Sequence, residues 1–239
     1  MGLVVEGRTW TGIEDLDYGI SAIVTLATAD GVAVFAGTGY WGGLSGYALS
    51  PGGELRLVDT QAFGPDGGSG ADVGLAVLDA GDDPVLAVGG LVANGPRAYG
   101  IDVSGDISDG HVIDATGAAT ASPLLQVGGG IVLADPRGDG LGLHHWGQDG
   151  DLVAIAAATD GATDYGFGIV DMAVLSSPRG DLVVTAAQGP SDAGRPAQSE
   201  AGITVWTTSS NGLRSTDAIG APDGLGLMMP TAIASVSLA

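Results

Sequence analysis

The chain has 239 residues, a formal net charge of −21, 45% hydrophobic residues and only 5% aromatic residues. It contains no Cys, which excludes a disulfide framework and thiolate chemistry. Its 28 acidic residues face seven Arg and no Lys, so nucleic acid and anionic membrane surfaces should be repelled and cations attracted.

The distribution of apolar residues and glycines along the chain also restricts the class of protein. No run of about 18 apolar residues predicts membrane insertion. The first ten residues, MGLVVEGRTW, have neither the basic region nor the apolar region of a signal peptide. The 44 Gly residues lie between short apolar runs, a distribution that is typical of turns in an all-β protein.

Two stretches of the chain align without a gap as far as their turn glycines. They are ISAIVTLATADGVAVFAGTG, which starts at Ile20, and IVDMAVLSSPRGDLVVTAAQG, which starts at Ile169. Each contains an apolar run, a short turn and a second apolar run. Weaker copies at 74–90 and 122–138 also join two apolar runs across Gly, Asp or Pro, as a β-hairpin requires.

A second hairpin follows each of these, and it begins near an aromatic residue. The four aromatic residues are spaced by 52, 47 and 60 positions: Tyr47, Tyr99, Trp146 and Trp206. The repeat is therefore a unit of four strands, a to d, over roughly 50 residues, which is the period of propeller blades. No window of about 12 residues shows a helical apolar stripe.

The repeat predicts an all-β fold, a β-propeller with four-stranded antiparallel blades. We expect about four complete blades in a single domain over 1–239, plus the terminal strands of an incomplete fifth blade. The natural protein would then be longer, or a partner would complete the blade; the alternative is a complete four-bladed ring with frayed ends. The expected blades are 20–62, 73–116, 121–157 and 168–218, and the terminal strands are 3–10 and 231–239.

The blade pattern resembles a known group of proteins. The strand-c aromatic residue, the polar turns SPGGEL and QDGDL and the apolar strand b are similar to bacterial β-propeller repeats, including lactonase-like propellers. The acidic, Cys-free composition and the GGSGAD motif at 67–72 resemble propeller modules of secreted calcium-binding RTX-type proteins. This resemblance implies an extracellular or cell-surface location, but a propeller fold does not by itself imply an activity.

In a propeller, the d→a and b→c connections lie on one face, which we call the loop face, and ligands usually bind there. The d→a connections are rich in Asp, and oxygen ligands on Gly-rich loops suit Ca²⁺. The alternative is that Asp before Gly forms ordinary Asx-turns. The candidate metal ligands are Asp17, Asp72, Asp164 and Asp223.

The b→c connections supply candidate ligand-binding residues. Tyr40 and Trp41 lie among glycines, where aromatic rings can stack on a sugar or a protein partner, or pack on a neighbouring blade. Arg97, Arg137 and Arg195 would form salt bridges between loops or, alternatively, an anion-binding patch.

These residues support three hypotheses of different classes. The first is a non-catalytic module that binds a protein or carbohydrate partner through the loop face, with Ca²⁺ as a candidate cofactor. The second is a metal-dependent lactonase-like hydrolase with Asp residues at the mouth of the central channel. The third is a scaffold that self-associates through open strand edges. The chain has no G-x-S-x-G elbow and no phosphate-binding loop, which favours the non-catalytic module over an enzyme.

Overall fold

A computed structural model describes most strands of the chain and leaves out several connections and both terminal segments. The described residues are 9–28, 31–39, 42–63, 73–79, 84–90, 96–113, 124–127, 130–135, 140–147, 152–159, 168–177, 180–188, 191–192, 195–196, 201–209, 212–220 and 223. The chain forms two compact units, residues 1–113 and residues 114–239.

The first unit contains a short helix and two antiparallel four-stranded sheets, each built from consecutive strands. The helix, α1, covers Glu14–Asp17. The first sheet consists of β1 (Ile20–Thr28), β2 (Gly31–Thr38), β3 (Gly43–Leu49) and β4 (Leu55–Ala62). The second sheet consists of β5 (Gly74–Asp79), β6 (Pro84–Gly89), β7 (Arg97–Gly100) and β8 (His111–Val112).

The second unit also contains two antiparallel four-stranded sheets. The third sheet consists of β9 (Leu124–Val127), β10 (Gly130–Asp135), β11 (Gly140–Trp146) and β12 (Leu152–Thr159). The fourth consists of β13 (Ile169–Ser177), β14 (Gly180–Ala187), β17 (Gly202–Ser209) and β18 (Gly212–Gly220). Between β14 and β17, a small hairpin is formed by β15 (Ser191–Asp192) and β16 (Arg195–Pro196).

The two best-aligned hairpins of the sequence also share backbone geometry. Gly31 and Gly180, the aligned turn glycines, both have positive φ, of 153° and 115°. A Cβ atom at Gly31 would lie only 2.3 Å from the Leu49 carbonyl oxygen, so this turn requires glycine. Both hairpins have a register shift at the start of strand a, after Ile20 and after Ile169. The sequence repeat is therefore a structural repeat.

Each unit has its own hydrophobic core between its two sheets. In the first unit, Phe35 and Leu44 pack with Leu86 and Tyr99 from the neighbouring sheet. In the second unit, the buried Trp206 packs in a cluster that contains residues of the third sheet. These clusters use alternate positions of the strands, because side chains of a strand point to opposite faces of the sheet.

The register changes the assignment of one strand-c residue. Strands c and d shift register between Gly46 and Tyr47 in the first sheet and between Val205 and Trp206 in the fourth. In the third sheet, the same shift lies immediately before His144. His144, rather than Trp146, is therefore the counterpart of the buried aromatic residues in the other blades, and it is itself only 4% exposed.

Four antiparallel four-stranded sheets follow one another along the chain, the fourth with the β15–β16 hairpin inserted between its second and third strands. They confirm the predicted all-β propeller with about four complete blades. The expected strand at 231–239 and most of the strand at 3–10 lie outside the described residues. No helix in the described parts of the chain is long and apolar enough to cross a membrane.

Candidate functional site

The b→c connection of the first blade is fixed at both of its ends. Gly39 and Gly42, which flank Tyr40 and Trp41 in the sequence, are joined by a hydrogen bond of 3.0 Å from the Gly42 N–H to the Gly39 carbonyl. The buried Thr38 hydroxyl accepts a bond of 3.0 Å from the Gly43 N–H. The flanks of this connection, residues 38–39 and 42–43, therefore form a hydrogen-bonded support where β2 ends and β3 begins.

The d→a connection that follows the first sheet starts and ends beside that support. At its start, the Phe63 N–H donates to the Gly42 carbonyl at 3.1 Å. At its end, the Val73 N–H donates to the Ser21 hydroxyl, also at 3.1 Å. The structure therefore brings the connection with Tyr40 and Trp41 and the connection with Asp72 to the same end of the first blade.

The second blade closes its corresponding end with an equivalent bond. The Ile113 N–H, which follows strand d, donates to the carbonyl of Pro96, which precedes strand c, at 2.9 Å. Arg97 is the first residue of β7, so it begins strand c and does not lie within the loop itself. The repeated bond shows that this end of each blade in the first unit is built in the same way.

Arg97 and Tyr99 lie on the same face of β7. In the described part of the chain, Arg97 Nε and Tyr99 Oη are both buried, and neither has a hydrogen bond of good geometry. Burial raises the pKa of Tyr99, although the nearby Arg97 guanidinium partly opposes this rise. Tyr99 therefore stays neutral, and the positive charge of Arg97 is not cancelled by it.

Asp17, a predicted metal ligand, has a structural role in the first unit. Its carboxylate accepts three hydrogen bonds: from the Thr11 N–H at 2.8 Å, from the Thr11 hydroxyl at 2.9 Å and from the Gly12 N–H at 3.1 Å. The bond from the Thr11 N–H is the main cause that lowers the pKa of Asp17. These bonds hold the chain before α1 against the end of the helix.

Asp223 lies in the second unit, where one of its carboxylate oxygens accepts a bond of 2.9 Å from the Gly220 N–H. Its side chain is exposed at the end of β18. Arg195 begins β16, within the long b→c connection of the fourth blade. Arg195 therefore lies between strands b and c of the fourth sheet, and Asp223 follows its strand d, while their roles in binding stay predictions.

The other predicted site residues lie outside the described residues: Tyr40, Trp41, Asp72, Arg137 and Asp164. Within the parts that the structure does describe, no group of three or more His, Asp or Glu side chains could hold a metal ion. The four-Asp metal site therefore stays a prediction.

Sequence reasoning missed two exposed aromatic side chains beside Asp17. Trp10 is 60% exposed and Tyr18 is 66% exposed. The predicted terminal strand 3–10 includes Trp10, but residues 9 and 10 carry no strand conformation. An aromatic residue on each side of a polar, acidic segment was the feature of the sequence that could have pointed to this surface.

The fold is similar to that of several solved structures at low sequence identity. A protein from Lactobacillus plantarum gives a TM-score of 0.53 at 15% identity, over 79% of this chain and 54% of that chain. A functionally unknown protein from Desulfotomaculum acetoxidans gives 0.53 at 10% identity, over 86% and 56%. A provisionally named 6-phosphogluconolactonase from Bacteroides uniformis gives 0.51 at 16% identity, over 79% and 53%.

The chain thus spans about half the length of these structures. No family model matches the sequence, and no curated protein matches it. At such low identities the likeness supports the β-propeller fold and nothing about activity.

Proposed function

We propose that the chain is a β-propeller binding module that recognises a partner protein or a glycan through its loop face. The observation that carries this proposal is the pair of bonds at the end of the first blade, Phe63 N–H to Gly42 O and Val73 N–H to Ser21 Oγ. They fix two neighbouring connections to one rigid edge. A rigid scaffold that carries variable connections is a common design of binding proteins.

The residue types in these connections suit recognition. Tyr40 and Trp41 offer large, stiff surfaces that lose little side-chain entropy on binding. Arg97, Arg137 and Arg195 belong to the same class of connection or to its edge, and would add hydrogen bonds to polar groups of a partner. Aromatic and Arg residues together are typical of the centres of binding interfaces.

A lactonase-like hydrolase is the alternative, and it needs a cluster of metal ligands with an open coordination position. The described residues provide no such cluster, and Asp17 already accepts three hydrogen bonds. No contact in the described structure favours the hydrolase over the binding module. Lactone hydrolysis is therefore kept as one outcome of the test below.

The remaining features of this proposal concern cofactor and location. We expect Ca²⁺ to be the cofactor if one is bound, because carboxylates on Gly-rich loops are suitable ligands. We also propose a secreted or surface location, which the resemblance to propeller modules of secreted proteins implies. Binding of nucleic acid and membrane insertion are not expected, because the net charge of −21 disfavours contact with anionic surfaces. Self-association through strand edges stays a prediction that sedimentation velocity would test.

The test uses a double variant, Tyr40→Ala/Trp41→Ala, whose net charge is unchanged. Labelled wild-type protein and the labelled double variant are each applied in serial dilution to glycan arrays and to immobilised candidate proteins. We expect at least about tenfold weaker binding for the double variant, since interface aromatic residues often contribute more than 1 kcal/mol each.

The control is Val103→Ser, which changes a 63% exposed apolar residue in the c→d connection, away from the loop face. Binding by this control should equal that of the wild type. Equal binding by the double variant would contradict the proposal. Metal-dependent hydrolysis of lactones by the wild type would replace it with the hydrolase.

A further inference from the structure

Five large apolar side chains are exposed within a short segment of the first unit. We call this set the Trp10–Ile23 surface: Trp10, Ile13, Tyr18, Ile20 and Ile23, with exposures of 60%, 47%, 66%, 48% and 62%. Single exposed apolar residues are common in soluble proteins, whereas five within one segment make that segment a candidate interaction site.

The strand pattern explains why the β1 part of this surface is exposed. Ala22, Val24 and Leu26 point towards the core between the two sheets of the first unit. Ile23 lies on the opposite face of β1, because adjacent residues of a strand alternate between faces. An isoleucine there contributes nothing to the core between the two sheets.

Asp17 organises the aromatic part of the surface. Its three bonds to Thr11 and Gly12 close a loop of which Trp10 and Tyr18 are the immediate neighbours, one before and one after. The buried Leu16 secures α1 to the protein. The backbone of Trp10 and that of Tyr18 are thus attached to the two ends of one closed loop, which lowers the backbone entropy lost when a ligand contacts both residues.

Within the described segment 9–28, which carries this surface, the charged side chains are all acidic. Glu14 and Asp15 are exposed, and residues 9–28 contain no Arg, Lys or His. The nearest basic residue in the sequence, Arg8, lies outside the described residues. Tyr and Trp rings attract cations through their faces, and the two carboxylates add to that attraction. An acidic partner would be repelled by these carboxylates, and a neutral partner would gain no electrostatic attraction from them.

We propose that the Trp10–Ile23 surface binds a segment of a partner protein in which Lys or Arg side chains alternate with apolar ones. The cationic groups would contact Trp10, Tyr18, Glu14 and Asp15, and the apolar groups would cover Ile13 and Ile23. The inference rests on the proposed function as a binding module, but it uses residues that are separate from Tyr40 and Trp41. The two proposals can therefore fail independently.

The probe is a fluorescein-labelled octapeptide of alternating Lys and Leu, followed by fluorescence anisotropy at low and at high salt. Two peptides of the same length, with Glu or Ser in place of Lys, serve as comparisons. We expect the Lys-Leu peptide to bind and the Glu-Leu peptide not to bind. The double variant Trp10→Ala/Tyr18→Ala should bind the Lys-Leu peptide about tenfold more weakly, as two exposed cation–π contacts predict.

The variants separate a local surface from general attraction to an acidic protein. Trp10→Ala/Tyr18→Ala keeps the net charge of −21, so unchanged binding would show that bulk electrostatics is responsible and would overturn the proposal. Failure of the Lys-Leu peptide to bind, or equal binding of the Ser-Leu peptide, would also overturn it. Trp10→Phe should retain binding, and Tyr40→Ala/Trp41→Ala should bind the peptide like the wild type even if it loses the partner of the loop face.

Discussion

His144 is a buried residue whose protonation the fold opposes. It occupies the strand-c position that Tyr47 and Trp206 hold in other blades, and it is 4% exposed. Its Nδ1 atom has no hydrogen-bond partner among the described residues, and burial lowers the pKa of the imidazole. The Gly142 backbone partly opposes this lowering of the pKa, and the adjacent, exposed His145 adds to it. The buried strand-c position therefore favours the neutral form of the imidazole.

We predict that stability depends on pH through His144. When folding lowers the pKa of a histidine, the unfolded state binds the proton more readily than the folded state. The folded state therefore has its full stability above the unfolded pKa of about 6.5 and loses stability as pH falls below that value. Urea unfolding should give a lower free energy of unfolding at pH 5.0 than at pH 7.5 for the wild type. The difference between the two pH values should be smaller for His144→Phe. His145→Gln should keep the wild-type decrease. Equal pH dependence of His144→Phe and wild type would contradict the assignment.

Single-residue roles were only partly predictable from the sequence. The opposite orientation of His144 and His145 follows from strand alternation, and the structure has one buried and the other exposed. Asp17 was predicted as a metal ligand from its place before Gly19. Its actual bonds go to Thr11 and Gly12, several residues earlier, because a turn at Gly12 and α1 brings them together. Spacing alone does not identify which donor a carboxylate meets.

At the scale of elements, apolar alternation and turn glycines were sufficient to predict the strands. The hairpin of β1 and β2 and that of β13 and β14 have the turns that the aligned Gly31 and Gly180 indicate. The packing of one blade's connection on another blade was not predictable. In the first unit, the 101–110 connection lies against β3 and β4, and its Ile107 N–H donates to Asp59 Oδ2 at 3.1 Å. Such a contact joins residues that are 48 positions apart, which no local pattern encodes.

We predict that this packing makes Gly46 intolerant of a side chain. A Cβ atom at Gly46 would lie 2.0 Å from the Gly105 carbonyl oxygen, and backbone must move to relieve the overlap. Gly46→Ala should lower the free energy of unfolding by about 1–3 kcal/mol, as overpacking typically does. The matched control is Gly52→Ala, where the nearest atom would be 3.7 Å away. Urea denaturation that gives the same midpoint for both variants would contradict the close approach.

At the scale of the whole molecule, the repeat length and the strand-c aromatic residues were enough to predict a propeller of about four blades. The sheets that the structure describes follow that repeat in order. The net charge of −21 did not help to predict the fold, because net charge affects self-repulsion and the choice of partner but not topology. Its consequence is that the compact state should respond strongly to cations.

We predict that Ca²⁺ raises the melting temperature more than charge screening can. If the d→a carboxylates hold the ion with a Kd near 1 mM, 10 mM Ca²⁺ would stabilise the protein by about 1.4 kcal/mol, which is a rise of about 3–6 °C. Thermal melts in CaCl₂ are compared with MgCl₂ and with NaCl at matched ionic strength. The rise should vanish in Asp72→Asn/Asp164→Asn/Asp223→Asn, whereas Asp106→Asn/Asp109→Asn/Asp217→Asn removes three exposed carboxylates elsewhere and should retain it. Because both triple variants remove equal charge, equal behaviour of the two would mean that Ca²⁺ acts only as a general counterion, and the d→a metal site would be wrong.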